Sequence, residues 1–266
     1  MKYLLALLLM LPGSSATLGG MRIHYSVNGT GAKTVLLVHG WTCDETTWTE
    51  QVPVLAKQYR VVTLDLPGHG QSDSPKDLKF SMDLFARAIE SVRKQIKVDR
   101  IVLVGHSMGT PVITEYARLY PEHTSALVIV DGVTGGNPQR ERRRGAMMAG
   151  DDGPKNREAM VRGMFSASTT PALQARIMKM MMAAPEATAV GALDATFDAT
   201  SREQGILHVS TLAVYADHSR LADRSYLEAH FPGLEYTEIP GTGHFLMLEK
   251  PVEFNRLLLN FMSKDK

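Results

Sequence analysis

The stretch Arg100–Pro111, Arg-Ile-Val-Leu-Val-Gly-His-Ser-Met-Gly-Thr-Pro, limits the possible folds more than any other part of the chain. Four apolar, mostly β-branched residues, Ile101 to Val104, run into Gly105-His106-Ser107-Met108-Gly109. Val112, Ile113, Tyr116, Ala117 and Leu119 then recur at helical spacing. The pattern predicts a buried strand, a sharp reversal and a helix. In such a reversal the turn backbone packs tightly, and side chains two before and two after the central residue would collide; Gly105 and Gly109 remove them. The central residue, Ser107, is forced into a strained conformation that lifts its hydroxyl clear of the sheet. The hydroxyl then sits at a helix start, where free N–H groups favour a developing negative charge.

The rest of the chain repeats the alternation of strand and helix. Met21–Val27 alternates apolar and polar like an edge strand, and Asn28-Gly29-Thr30-Gly31 is a hairpin-type turn. Thr34–Val38, Val61–Leu64 and Ala126–Val130 are continuous apolar runs, the mark of strands covered on both faces. Ser81 is positioned to cap a helix carrying Leu84, Phe85, Ala88, Ile89, Val92 and Ile96 on one face. Such alternation predicts an α/β fold with a mostly parallel, doubly wound sheet, whose ligands sit beyond the carboxyl ends of the strands. His39, Ser107 and Asp131 all fall at such ends.

From Val133 to Ile206 no buried strand appears. Short helical stretches are broken at Pro138, Gly153-Pro154, Pro171 and Pro185, and eight of the fifteen methionines lie here. This predicts a helical cap over 133–206, inserted into a core of 17–132 and 207–266. Met178, Met181 and Met182 share one helical face and Met180 points elsewhere. They read either as filler between helices or as a deformable apolar lining over a site. Arg140, Arg142, Arg143 and Arg144 read as a solvated face. Sheet character returns at Thr211–Tyr215 and Leu234–Ile239, and Pro251 opens a last helix with Phe254, Leu257, Leu258 and Phe261 inward.

Residues 1–16 read as a secretory signal: Lys2, an apolar run from Tyr3 to Leu11, a break at Pro12-Gly13, and small residues Ser14-Ser15-Ala16 for cleavage. The expected location is then periplasmic or secreted; a true start near Met21 would instead leave the protein cytoplasmic. The apolar run is too short to span a bilayer, and no later one is long enough. With Cys43 as the sole cysteine there is no internal disulfide. A net charge of +1 offers no argument for nucleic acid or an anionic membrane as partner. No metal-ligand cluster or dinucleotide fingerprint is present, so no cofactor is expected.

Four motifs together resemble the α/β-hydrolase fold superfamily over residues 21–264. They are His39-Gly40-Trp41, Asp65-x-x-Gly68-x-Gly70-x-Ser72, the Gly105–Gly109 elbow, and Gly243-His244 followed by Glu249-Lys250-Pro251. The resemblance implies Ser107 as nucleophile and His244, in the loop after the last strand, as its base. It implies an oxyanion hole from the backbone N–H groups of Trp41 and Met108, with His39 bracing the loop. His106 lies beside the nucleophile and is expected to point away from it. The acid departs from the family pattern. Relatives commonly place it three residues after the seventh strand, where this chain has Ser219. Asp131, at the end of the sixth strand, and Asp217 both remain candidates.

These residues imply a serine hydrolase cleaving carboxylic esters of small to medium apolar substrates through an acyl-enzyme. The same triad would serve a C–C bond hydrolase, a lactonase or a thioesterase. A non-catalytic small-molecule binder on a decayed hydrolase is the reading from another class, favoured by the irregular acid and opposed by the intact Ser107 and His244.

Overall fold

The computed structural model describes residues 13–134, 145–198 and 205–264. Eight strands form one sheet: β1 (Ser14–Leu18), β2 (Met21–Asn28), β3 (Thr34–Val38), β4 (Arg60–Leu64), β5 (Ile101–His106), β6 (Thr124–Val130), β7 (Ser210–Ala216) and β8 (Glu235–Ile239). Their spatial order is β1-β2-β4-β3-β5-β6-β7-β8. β1 with β2 and β2 with β4 are antiparallel, and every other pair is parallel. β3 and β5 are buried along their whole length, as their continuous apolar runs require when both faces are covered.

The first strand occupies part of the expected leader. Ser14–Ala16 belong to β1, with Ala16 opposite Ile23 and only 2% exposed. The expected cleavage point after Ala16 therefore lies inside a strand; residues 1–12 lie outside the described residues. The Gly19-Gly20 pair is the local cause. Both glycines have positive φ, 55° and 85°, which gives the two-residue turn that folds β1 back on β2.

Helix α1 (Val52–Leu55) precedes β4, and α2 (Met82–Ile96) follows it. Ser81 caps α2 by accepting from the Leu84 N–H at 3.0 Å, an arrangement worth about 1 kcal/mol. Phe85, Ala88, Ile89, Val92 and Ile96 are buried and Leu84 is half-buried. Helix α3 (Gly109–Leu119) leaves directly from the turn after β5. Among the described residues three helices, α4 (Gly153–Arg162), α5 (Pro171–Met182) and α6 (Glu186–Thr196), fall between β6 and β7. They are docked by polar links: Arg157 donates to Ala184 O, Thr188 to Gly68 O, and Arg176 to Thr46 O. Of the α5 methionines Met181 is buried, and Met180 Sδ accepts from the Thr46 and Thr47 hydroxyls. The arginine run 140–144 lies outside the described residues. Helices α7 (Arg224–His230), α8 (Leu246–Glu249) and α9 (Pro251–Lys264) complete the chain, the last burying Phe254, Leu258 and Phe261. No helix among the described residues is long and apolar enough to cross a membrane.

Candidate active site

Strand register lines up the candidate residues. Val38 pairs with Gly105, His106 with Val130, and Val130 with Val214. The residues just beyond β3, β5, β6 and β7 therefore share one edge of the sheet, at the point where β3 lies between β4 and β5. That is a topological switch point, where open α/β sheets leave a crevice.

Ser107 sits at the top of the elbow with φ 54°, a left-handed conformation held from both sides. Its N–H donates to Val130 O at 3.0 Å, and its carbonyl accepts from Thr110 at 3.0 Å and from Val133 at 3.3 Å. The flanking glycines have no room for more. A Cβ on Gly105 would come within 2.5 Å of Gly109 O, and one on Gly109 within 2.6 Å of Val38 O. Ser107 is 8% exposed and opens onto a cavity of about 800 Å³.

His244 lines the same cavity, and its Nδ1 lies 2.6 Å from Asp131 Oδ2. Nε2 is thereby left as the nitrogen able to accept a proton. Asp131 is buried, has φ 40°, and accepts the Ala216 N–H on Oδ1 at 3.0 Å. Burial alone would push the Asp131 carboxyl up. The hydrogen bond and charge of His244, with hydrogen bonds from Ala216 and Ser219, outweigh it and hold the carboxyl below its ordinary range. Asp217 lies at the rim of the cavity and has other partners. Its Oδ2 accepts from the Gly241 N–H at 3.1 Å and its Oδ1 lies 3.3 Å from His218 Nε2. Asp131, and not Asp217, is thus the carboxylate against His244.

Trp41 and Met108 are both buried and both line the cavity. Among the described residues neither of their backbone N–H groups donates to another group of the chain. The Trp41 ring is tied to the inserted helices, its Nε1–H donating to Ala189 O in α6 at 2.7 Å. His39 is fully buried beneath this loop. Its Nδ1–H donates to Gly40 O at 2.8 Å and its Nε2 accepts from the Leu66 N–H at 3.0 Å, so it is neutral; burial lowers its pKa against the pull of Asp65.

Several contacts were not signalled by any motif. The His106 Nε2–H donates to the His244 carbonyl at 2.8 Å, and the two rings lie 4.6 Å apart. His106 is thus engaged by the backbone of His244. Burial, aided by His244, pushes its pKa down to about 3. Among the methionines of the inserted segment, Met160 and Met164 line the cavity, whereas Met178, Met181 and Met182 do not. Met181 and Met178 instead pack on the hydrophobic core. Cys43 is no competing nucleophile: burial and Asp44 push its thiol up to about 12. No group of three or more metal-ligating side chains occurs among the described residues.

A serine in a strained strand–helix turn, beside a His–Asp pair at the carboxyl edge of a mostly parallel sheet, is the arrangement of an α/β hydrolase. The chain belongs to the alpha/beta hydrolase fold family, whose model matches residues 33–179. It is similar to the 2-hydroxy-6-oxononadienedioate/2-hydroxy-6-oxononatrienedioate hydrolase of Escherichia coli K12, with 38% identity over 120 residues. That match spans 44% of this chain and 42% of the E. coli enzyme. Among solved structures, the enol-lactonase from Burkholderia xenovorans LB400 superposes with a TM-score of 0.86 at 20% identity, covering 94% of this chain and 100% of the other. The thermophilic esterase from Thermogutta terrifontis superposes with a TM-score of 0.84 at 23% identity, covering 96% and 99%. At these identities the two structures establish the fold alone.

Proposed function

We propose that the protein is a serine hydrolase of carboxylic esters that works through an acyl-enzyme on Ser107. The observation that carries this reading is the convergence of Ser107, the His244–Asp131 pair and two free backbone N–H groups on one cavity. In the forward step Ser107 Oγ attacks the ester carbonyl carbon while its proton passes to His244 Nε2. The carbonyl oxygen becomes an oxyanion received by the Trp41 and Met108 N–H groups, each such donor typically worth about 3 kcal/mol of barrier. The carbon–oxygen bond to the leaving alcohol then breaks, and His244 returns its proton to that alcohol. Water, deprotonated by His244, attacks the acyl-enzyme, and the acid leaves as Ser107 regains its proton. Asp131 keeps the Nδ1–H in place and stabilises the imidazolium formed in each half-reaction.

The cavity wall favours an acyl group of small to medium size with apolar character. Met160, Met164, Phe165, Leu193 and Phe197 of the inserted segment form one side of it. Similarity to the E. coli enzyme favours a second reading, hydrolysis of a C–C bond next to a carbonyl with the same residues. The two differ in the leaving group, an alkoxide against a carbanion that must be delocalised onto a carbonyl as an enolate and then protonated.

The test is turnover of short-chain aryl esters and of a vinylogous 1,5-diketone by wild type and by Ser107→Ala. Ester turnover that vanishes in the variant supports the first reading. Diketone turnover with inert esters supports the second. A wild type inert to both and unlabelled at Ser107 by a fluorophosphonate overturns the nucleophile assignment and leaves a binding protein.

A further inference from the structure

One carboxylate outside the proposed chemistry gathers donors from two distant parts of the chain. Glu249 closes α8 and is half-buried. Its Oε2 accepts the Gly243 N–H at 2.6 Å and the Ser166 hydroxyl at 2.9 Å, and its Oε1 accepts the Thr169 hydroxyl at 2.7 Å. The Ser168 hydroxyl lies 3.1 Å from Oε2 and 2.7 Å from Gly241 O, dividing its single proton between them. No cation pairs with Glu249 among the described residues, so its charge is met by these dipoles. A carboxylate suits the position because it accepts in about four directions and donates in none.

The donors define two segments. Gly243 immediately precedes His244, whereas Ser166, Ser168 and Thr169 form the turn between α4 and α5 in the inserted helices. The segments also touch directly. The His244 N–H donates to Met164 O at 3.2 Å. A Cβ on Gly243 would come within 2.9 Å of Met164 O and 3.0 Å of Ser166 Cβ, an approach that only a glycine permits. Met164, Phe165 and Ser166 line the cavity together with Gly243 and His244. The loop bearing the base and the turn that walls the cavity are thus bound into one unit at Glu249.

We propose that Glu249 is a positioning residue that latches the His244 loop to the Met164–Thr169 turn, so that the orientation of the base depends on the placement of the cavity wall. The proposal rests on His244 acting as base for Ser107. Its mechanical content is that a change on the turn, touching neither Ser107 nor His244, slows the chemistry through Glu249. A misplacement of ~1 Å in a reacting group costs about a hundredfold in rate, and a loosened loop sits within that range.

The experiment compares wild type, Glu249→Gln, the double variant Ser166→Ala/Thr169→Val, and the triple variant. The readouts are the second-order rate of Ser107 phosphonylation by a small fluorophosphonate, kcat and KM on an aryl acetate, and Tm. Glutamine with its oxygen at the Oε2 position keeps the acceptor for Gly243 and Ser166 but removes the charge and turns toward Thr169 an amide nitrogen that cannot accept. The latch requires Glu249→Gln and the turn variant each to slow phosphonylation by about tenfold or more. It also requires kcat to fall with little change in KM, and the triple variant to be no slower than Glu249→Gln, since residues acting as one unit are non-additive.

A lowered Tm with phosphonylation within about twofold of wild type overturns the proposal and leaves a structural role. A slow Glu249→Gln beside a turn variant of wild-type rate overturns the coupling. If Glu249→Gln does not fold, the turn variant, which removes two hydroxyls that donate to Glu249 and accept the Ser166 and Ser168 N–H groups, decides by its own rate. A wild type that the probe does not label sinks the nucleophile reading and the latch with it; a labelled wild type with unslowed variants sinks the latch alone.

Discussion

Replacing Asp131 with Asn keeps the side-chain shape and removes the charge, and the surroundings dictate which way the amide must turn. In the native site Oδ1 accepts the buried Ala216 N–H at 3.0 Å and Oδ2 faces His244 Nδ1 at 2.6 Å. An Asn that presents its oxygen to Ala216 points its NH2 at Nδ1. The reverse orientation leaves the Ala216 N–H facing another donor, an unmet buried group costing about 1–3 kcal/mol. The first orientation therefore prevails, and a donor at Nδ1 forces the proton onto Nε2. In that tautomer His244 cannot accept from Ser107. The productive tautomer is reached only against those ~1–3 kcal/mol, and the imidazolium formed in the transition state loses a charged hydrogen bond worth about 1.5–3 kcal/mol. The two losses together amount to ~2.5–6 kcal/mol, or about a hundredfold to ten-thousandfold in rate.

The assay is kcat on an aryl acetate together with the fluorophosphonate labelling rate, for Asp131→Asn and Asp217→Asn in parallel. Asp217→Asn is expected within about threefold of wild type, because an amide oxygen can still accept the Gly241 N–H, an ordinary neutral hydrogen bond. An Asp131→Asn enzyme that folds and retains more than about a tenth of the wild-type kcat would refute the assignment, as would a larger loss in Asp217→Asn.

Three other outcomes are expected from the structure. His69 and His106 are fully buried, and burial pushes each pKa down to about 3, against 6.5 for an unperturbed histidine. The unfolded chain therefore binds protons that the native state refuses. The associated stability is complete above pH 6.5 and is lost as pH falls toward 3, by about 2–3 kcal/mol per histidine at pH 4.5. Urea midpoints should drop steeply from pH 6.5 to 4.5, and a flat profile would contradict the neutral burial of the two rings. Gly109→Ala, whose Cβ would meet Val38 O at 2.6 Å, is expected to destabilise by at least about 1–3 kcal/mol in urea melts; Gly163→Ala, with its nearest atom at 3.4 Å and negative φ, should change stability little. Trp41→Phe removes the bond to Ala189 O and is expected to lose about 0.5–1.5 kcal/mol in the same melts, with a higher KM as the readout at the cavity.

Periodicity made the sheet and its flanking helices legible, because covered strands must be continuously apolar and α2 must carry one apolar stripe. The elbow was legible because its glycines answer a local steric demand. Other features depended on what meets in space. Asp131 and Asp217 each follow a strand, and only the register of β6 against β7 decides which one faces His244. The hydroxyl donors to Glu249 lie about eighty positions away in a turn of ordinary Ser and Thr residues. Ser14-Ser15-Ala16 satisfies both a cleavage motif and a short strand; the Gly19-Gly20 pair was the available sign of the hairpin. The α5 methionines carried helical spacing without indicating whether their face met substrate or neighbouring helices.

The position of the acid has its own structural logic. Asp131 is the first residue beyond β6, and its backbone N–H donates to Val214 O of β7 at 2.9 Å, so the end of β6 stays stitched to its neighbour through that residue. Its φ of 40° turns the side chain across the end of β7, where it meets the Ala216 N–H. The edge that in many relatives would carry the acid here supplies a donor to it. One oxygen is held by the sheet and the other by His244, so the carboxylate cannot rotate without breaking a buried hydrogen bond. A carboxylate on the looser segment after Ala216 would have to be ordered by its own loop, and Asp217 shows what happens there: it turns to Gly241 and His218 at the rim. Moving the acid to Ala216 in an Asp131→Asn background should therefore restore little activity. The backbone N–H that anchors Asp131 would then belong to the same residue as the new carboxylate, which is poorly placed to accept it as its own anchor. Recovery of more than about a tenth of wild-type kcat in that double variant would show that the anchoring N–H is dispensable.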